Sequence, residues 1–186
     1  MTNQLDTEEI FSVLAKADQL YNEQDVLRAI DDMATDINQK LLGKQPLCLP
    51  VMIGGLIPAA QLLTRLNLPL EIDYIHASRY RGETSGSELH WVKEPTVSLQ
   101  NRTVLIIDDI LDEGLTLQAI VKYCLDAGAE EVFTAVLVEK QLDSRLGLQQ
   151  ADFTGLVVPN RYVFGYGMDY QKQLRYVPGI YAVHGL

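Results

Sequence analysis

The sequence predicts an α/β fold, a mainly parallel sheet flanked by helices, on three observations. First, Val104-Leu105-Ile106-Ile107 is an aliphatic run, three of its residues β-branched, that reads as a strand buried on both faces. Second, that run enters a polar turn with four acids within six residues, Asp108, Asp109, Asp112 and Glu113, followed by Gly114 and Thr116. Leu117, Ile120, Val121, Cys124 and Leu125 then recur at helical spacing until Gly128, a residue suited to a helix end. Third, strand-like and helical stretches alternate along the whole chain. A buried strand, a polar turn and a helix put the turn at the carboxyl edge of a parallel sheet, where open α/β proteins hold ligands. A lone acid such as Asp112 would serve as a helix cap. Four crowded acids repel one another unless something cationic neutralises them.

Taken in order, Asp6 and Glu9 have the spacing of a capping box, and Ile10, Val13, Leu14 and Ala17 follow on one helical face. A second helix starts near Asn22, with the apolar stripe Val26, Leu27, Ile30, Met33, Ile37 and Leu41, and ends before Gly43 and Pro46. Leu47 to Ile53 reads as the first sheet strand, with Pro50 removing one ladder donor. Gly54-Gly55 makes a sharp turn, and Pro58 suits the first position of a helix running to Leu66. A glycine turn before a helix suits an anion or a purely structural bend. Leu70 to Ala77 reads as a strand, Arg79 to Gly86 as a long loop of the kind that serves as a lid, and Ser87 to Val92 as an extended arm. Glu131 to Glu139 is a strand ending at Lys140, and Gln141 to Ala151 is a loop containing Arg145. Phe153 to Val158 is a strand, Tyr162 to Gly165 a shorter one, and an extended piece follows Pro178. No repeat, low-complexity segment or second domain stands out.

The length, a hydrophobic content of 47% and a mean hydropathy of +0.02 suit one globular domain. No apolar run reaches the length of a membrane span, and the polar start does not read as a signal peptide. Cys48 and Cys124 fall at core positions with no metal or redox spacing, which predicts reduced, packed thiols in a cytoplasmic protein. A net charge of −10, from 15 basic against 25 acidic residues, argues against nonspecific nucleic-acid binding. A phosphorylated small molecule is compatible with it, because a metal, local cations and backbone N–H groups bind phosphate inside acidic proteins.

Several chemistries lack their motif. The Gly114-Leu115-Thr116 turn has no Lys before Thr116 and no Gly five residues before Gly114, so it is not a Walker A loop. No Gly-x-Gly-x-x-Gly follows a strand, no Gly-x-Ser-x-Gly is present, and His76, His90 and His184 form no metal spacing. Asp108-Asp109-x-x-Asp112 matches the acidic motif of prenyl-transfer enzymes, but those carry it on a helix. Phosphoacceptor receiver domains place their acids near the start of the chain, not past residue 100.

Val104 to Thr116 resembles the phosphoribosyl diphosphate signature of type I phosphoribosyltransferases: an aliphatic run, two acids, two aliphatics, Asp, a variable residue, Gly, a variable residue and Thr. The resemblance spans roughly residues 45 to 183 and is specific to the hypoxanthine-guanine branch. It implies that fold, with a small hood from the N-terminal helices and the segment after about residue 152. It implies phosphoribosyl diphosphate binding by Ile53 and Gly54 of the first loop, by Asp108 and Asp109, by Glu113, Gly114, Leu115 and Thr116, and by Arg175. Asp112 becomes the catalytic group at purine N7. Lys140, Tyr162, Val163 and Asp169 become purine contacts, and Ser78, Arg79 and Tyr80 the lid. Mg²⁺ is the implied cofactor, near Asp108, Asp109 and Asp169. The implied partners are phosphoribosyl diphosphate and a purine base, with no nucleic acid or membrane, in a homodimer or homotetramer. The implied reaction gives IMP or GMP and diphosphate in purine salvage. A xanthine- or adenine-preferring transferase, and a non-catalytic nucleotide-sensing regulator of the same fold, are the alternatives. Ile53, Glu113 and Leu115 depart from the residues usual in the family, Lys, Thr and a basic residue, which leaves those positions to backbone donors.

Overall fold

The computed structural model describes residues 6–79 and 89–185. Helix α1 (Thr7–Lys16) starts at Asp6, whose carboxylate accepts from Glu8 N, and strand β1 (Asp18–Tyr21) follows. The sequence reading missed β1, a short and half-exposed strand whose partner among the described residues is at the far end of the chain. Helix α2 (Glu23–Lys40) opens on a capping box in which Asn22 and Asp25 each accept the other's backbone N–H, at 3.0 Å. Strand β2 (Leu47–Pro50) is shorter than expected, because the chain turns at Met52–Gly55 into α3 (Leu56–Leu63). Pro58 is therefore the third residue of that helix rather than its first.

The expected strand from Leu70 to Ala77 is two strands in two sheets, β3 (Glu71–Ile72) and β4 (His76–Arg79), with β5 (Leu89–Lys93) pairing antiparallel to β4. Residues 80–88, including Tyr80 and most of the expected lid, lie outside the described residues. Strand β6 (Thr103–Leu111), α4 (Leu115–Asp126), β7 (Glu131–Lys140) and β8 (Phe153–Val158) follow, then β9 (Val163–Phe164) and β10 (Ile180–Ala182). Helix α4 ends as its sequence suggests: Gly128 N donates to Leu125 O at 3.0 Å, Ala129 N to Cys124 O at 3.0 Å, and Gly128 has φ +88°.

The central sheet has the order β3-β2-β6-β7-β8, with every neighbouring pair parallel. Its central strands alternate between two buried faces. Leu105 and Ile107 pack with Ile30, Met33 and Ile37 of α2 and with Leu62 of α3. Val104 and Ile106 pack with Leu117, Ile120 and Cys124 of α4 and with Ile75 and Ala77 at the start of the β4–β5 hairpin. Cys48 and Cys124 fall in the two different cores, both free, and burial pushes each thiol up to about 12. They are packing residues, as their positions suggested.

A second sheet, β1-β10-β9, is antiparallel and joins both ends of the chain. Phe164, Leu174, Val177 and Val183 form its core against Ile10, Val13 and Leu14 of α1. Helix α2 packs on the central sheet and β8 is its edge strand, while α1, β1, β9 and β10, from the two ends of the chain, make the smaller layer. Helix α2 has an apolar stripe long enough to cover the face of β8, whereas α1 has no buried residue of its own and only caps the small core.

Asp73 ties the link after β3 to the segment after β5. Its carboxylate accepts from Tyr74 N at 2.8 Å, Thr96 N at 2.6 Å, Thr96 Oγ1 at 2.8 Å and Val97 N at 3.2 Å. Burial pulls its pKa up, but these donors outweigh it and hold the carboxyl at about 2. A folded pKa below the unfolded value gives stability that is present above about pH 4 and lost as pH falls toward 2. Asp73→Ala should therefore cost about 1–2 kcal/mol at pH 7, allowing for solvent screening, with the gap to wild type narrowing in that window. Urea midpoints at pH 7, 4 and 3 check this; a pH-independent gap would place the contribution elsewhere.

Candidate active site

A cavity of about 810 Å³ opens at the carboxyl ends of β2 and β6. It is lined by the 51–54 segment, by residues 108–117, and by Asp169, Lys172 and Arg175. The acids were expected in a turn after Ile107. Instead β6 continues to Leu111, because β7 runs on beside it and keeps its ladder occupied, pairing Asp108 with Val136 and Leu111 with Glu139. Asp108 and Asp109 are thus buried strand residues, 9% and 8% exposed, and the turn begins only at Asp112.

Burial raises the pKa of both carboxyls, and for Asp108 the charge on Asp109 raises it further. Asp108 Oδ1 accepts the backbone N–H of Asp109 at 2.9 Å, and Arg175 Nη1 lies 3.8 Å from Asp109 Oδ2. A carboxylate pair so placed gains from a nearby hard cation. Asp109 also needs Gly54: any Cβ there would collide with its carboxylate. Gly167, at φ +111°, lies against Gly54 O and Asp109 Cβ, so the 165–168 turn closes directly on the first loop.

The next turn is built from backbone. Gly114 has φ +77° and starts α4, and as a glycine it offers the first amides of the helix no side-chain cap. Gly114, Leu115, Thr116 and Leu117 all line the cavity, and a helix start so placed suits an anion. The 141–152 connection buttresses this turn: Gly147 N donates to Glu113 O at 2.9 Å and Leu148 N to Gly114 O at 3.1 Å. A Cβ on Gly147 would strike the Gly114 backbone, and one on Gly114 would strike Leu148.

At the ends of the adjacent strands β6 and β7, Lys140 Nζ donates to Asp112 Oδ2 at 2.9 Å. Asp112 is half exposed, at 47%, and Lys140 is 13% exposed. Arg145, only 8% exposed, holds both strand ends. It donates from Nε to Asp112 O at 2.9 Å, from Nη1 to Gln149 O at 2.8 Å and from Nη2 to Lys140 O, and it pairs with Glu139 Oε1 at 3.1 Å. The sequence model described as the phosphoribosyl transferase domain matches residues 16–171. The chain belongs to the phosphoribosyltransferase family.

Relatives agree. This phosphoribosyltransferase is 30% identical over 161 residues to a hypoxanthine-guanine-xanthine phosphoribosyltransferase of Tritrichomonas foetus, covering 87% of this chain and 88% of the relative. It is 33% identical over 162 residues to the bifunctional protein TilS/HprT of Listeria innocua, covering 87% of this chain but only a quarter (25%) of that longer protein. Its fold matches the crystal structure of a hypoxanthine phosphoribosyltransferase from Staphylococcus aureus with a TM-score of 0.86 at 25% identity, over 98% of this chain and 96% of that one. The parallel five-stranded sheet flanked by helices is thus the type I phosphoribosyltransferase fold.

Not every expected site residue of this phosphoribosyltransferase lines the cavity. Ile53, Gly54, Asp108, Asp109, Asp112, Glu113, Gly114, Leu115, Thr116, Asp169 and Arg175 do. Lys140 stands behind Asp112 instead. Tyr162 is 41% exposed, its ring edge-on to Tyr170 at 5.7 Å, and Val163 is buried in β9; neither is part of the cavity lining. The backbone of Ser78 and Arg79, expected in the lid, is in β4, opposite His90 and Leu89. Asp169 has both oxygens engaged, Oδ1 by Arg175 Nη2 at 2.6 Å and Oδ2 by Lys172 N at 2.6 Å. Among the described residues no group of three or more His, Cys, Asp or Glu side chains is arranged to hold a metal. The Asp108–Asp109 pair fits a divalent cation, then, while Asp169 in this arrangement is committed to Arg175 and its own turn.

Two residues escaped the sequence reading. Arg145 was passed over as a loop cation, and Lys172 was not singled out at all. Nothing local distinguishes either; both matter through contacts with distant segments.

Proposed function

We propose that the chain is a hypoxanthine phosphoribosyltransferase, acting on guanine as well, that transfers the 5-phosphoribosyl group of phosphoribosyl diphosphate to N9 of a 6-oxopurine. The observation that carries the base preference is the Asp112–Lys140 pair at 2.9 Å. It sets an acceptor and a donor side by side, and a 6-oxopurine offers the complement along one edge, an N7 proton and an oxo oxygen. Adenine puts an amine where the oxo group stands, leaving two donors facing each other.

In this reading the α4 start, with Gly114 and Thr116, binds the 5′-phosphate, and Asp108 and Asp109 receive the ribose diol. Gly54 and Arg175 face the diphosphate, where Arg175 offsets charge as it departs. N9 attacks the anomeric carbon while the diphosphate bond breaks, and Asp112 takes the N7 proton. Tyr162 and Val163 contact the base once it is bound, and the segment from Ser78 to Tyr80 closes over the site to exclude water. Mg²⁺, held by Asp108 and Asp109, would supply charge neutralisation to the diphosphate. We place the enzyme in the cytoplasm as a homodimer or homotetramer, with no nucleic-acid or membrane partner; no helix among the described residues is long and apolar enough to cross a membrane. The net charge of −10 weighs against the nucleotide-sensing, RNA-binding regulator.

A spectrophotometric assay with phosphoribosyl diphosphate, Mg²⁺ and, separately, hypoxanthine, guanine, xanthine and adenine tests this. Turnover of hypoxanthine and guanine, abolished by EDTA and restored by Mg²⁺, is expected, with adenine inert. Adenine turnover exceeding that of the oxopurines would overturn the reading of Lys140. The Tritrichomonas relative is named for xanthine as well as hypoxanthine and guanine, which makes xanthine the informative third base.

A further inference from the structure

We propose that Lys172 is a diphosphate-binding residue of this site, supplying a cation that neither Ile53 nor Leu115 can. This rests on the phosphoribosyl diphosphate reading above. Among the described residues, the charged cavity lining has five acids, Asp108, Asp109, Asp112, Glu113 and Asp169, against two basic side chains, Lys172 and Arg175. Arg175 is already engaged: it pairs with Asp169, donates to Gly167 O and lies near Asp109. The ammonium of Lys172 has no carboxylate or hydrogen-bond partner among the described residues. A polyanion entering this acidic cavity thus meets one unspent ammonium, and it is this one.

Backbone geometry supplies an independent reason. Tyr170 and Gln173 exchange hydrogen bonds at 2.9 and 2.8 Å around a two-residue turn whose central residues, Gln171 and Lys172, have φ of +46° and +70°. That hand of turn is adopted without strain by Asn-Gly, and a long side chain at its second position is held against its preference. Asp169 helps to hold it, taking the Lys172 N–H with the same carboxylate that orients Arg175. One acid therefore aims both cations. Arg175 sits beside Gly54, since Gly167, which accepts from Arg175, packs on Gly54 O, and Lys172 is tied to Arg175 through Asp169. In the reading above Gly54 and Arg175 face the diphosphate while Gly114 and Thr116 take the 5′-phosphate, so a lysine that shares Asp169 with Arg175 is assigned to the diphosphate.

Substitution by glycine separates binding from folding, because K172G removes the ammonium and relieves the left-handed backbone together. Titration calorimetry with inorganic diphosphate and, separately, ribose 5-phosphate, beside thermal melts, reads both. K172G should weaken diphosphate binding roughly tenfold, the scale of one charge-assisted contact, and raise the KM for phosphoribosyl diphosphate similarly. Ribose 5-phosphate binding should stay as in wild type, the melting temperature should be equal or higher, and K172R should retain diphosphate binding. Diphosphate affinity unchanged in K172G, or an equal loss for ribose 5-phosphate, would overturn the role of Lys172 while leaving the parent reading intact. Wild-type protein that binds neither anion would remove both.

Discussion

Asp112→Asn lowers kcat roughly 10²-fold or more, while the KM for phosphoribosyl diphosphate changes little; this is the expected result of removing a proton acceptor without removing its shape. The backbone of Asp112 is held by Arg145 Nε at 2.9 Å from its carbonyl, and its side chain by Lys140 Nζ at 2.9 Å from Oδ2. Asparagine can occupy the same place and still accept from Lys140, so the geometry of the strand end survives. What it cannot do is take up the N7 proton as the base attacks. The backbone from Gly114 onward, proposed to hold the 5′-phosphate, is set by Leu148 and Gly147 rather than by this carboxylate, so sugar-diphosphate affinity should hold. Steady-state kinetics with hypoxanthine, backed by single-turnover measurements to separate chemistry from product release, gives the answer. An unchanged single-turnover rate removes Asp112 from proton transfer.

Arg145→Met should cost about 3 kcal/mol of stability, the lower end for breaking a buried ion pair, and lower the melting temperature by roughly 6–12 °C. The guanidinium is 8% exposed and its partner Glu139 is 20% exposed, so methionine fills the volume but leaves a carboxylate in a poorly solvated place. Thr154 Oγ1 still donates to Glu139 Oε2 at 3.0 Å, which tempers the loss. Three carbonyl oxygens, those of Asp112, Lys140 and Gln149, lose a donor at the same time. The second variant, Arg145→Met with Glu139→Gln, removes the stranded charge and should recover about half of the stability. It should not recover kcat, because the ends of β6 and β7 remain unclasped and the Asp112–Lys140 pair loses its fixed spacing. Full recovery of both quantities would make Arg145 a stability residue alone. Urea unfolding of the two variants, with kcat measured on the same preparations, distinguishes the outcomes.

The residues that announce themselves are those whose role is written in their neighbours. Val104 to Ile107 needs a sheet on both sides, Asn22 and Asp25 cap each other three residues apart, and α4 ends at Gly128 through bonds from Gly128 to Leu125 and from Ala129 to Cys124. Each is a local pattern, with a period or a spacing that survives without the rest of the fold. The acidic cluster and the Gly114 turn were legible for the same reason, and so was the α/β class. The extent of β6 was not, because Asp108 and Asp109 disfavour a strand by themselves and are held in one by β7. Strand β1 was invisible until β10 came to pair with it from the other end of the chain.

By itself, then, the sequence determined the alternation of strands and helices, the switch from aliphatic strand to acidic, glycine-bearing turn, and the family to which that switch belongs. Tertiary structure decided which side chains meet. Lys140 reaches Asp112, Arg145 clasps two strand ends, Gly54 and Gly167 close on Asp109, and Lys172 arrives at the cavity on a strained turn. The physical reason is range. Hydrogen-bonded helices and buried strands follow from periods of a few residues, whereas a site of converging charges is made by segments that the chain separates and only the packed sheet brings together.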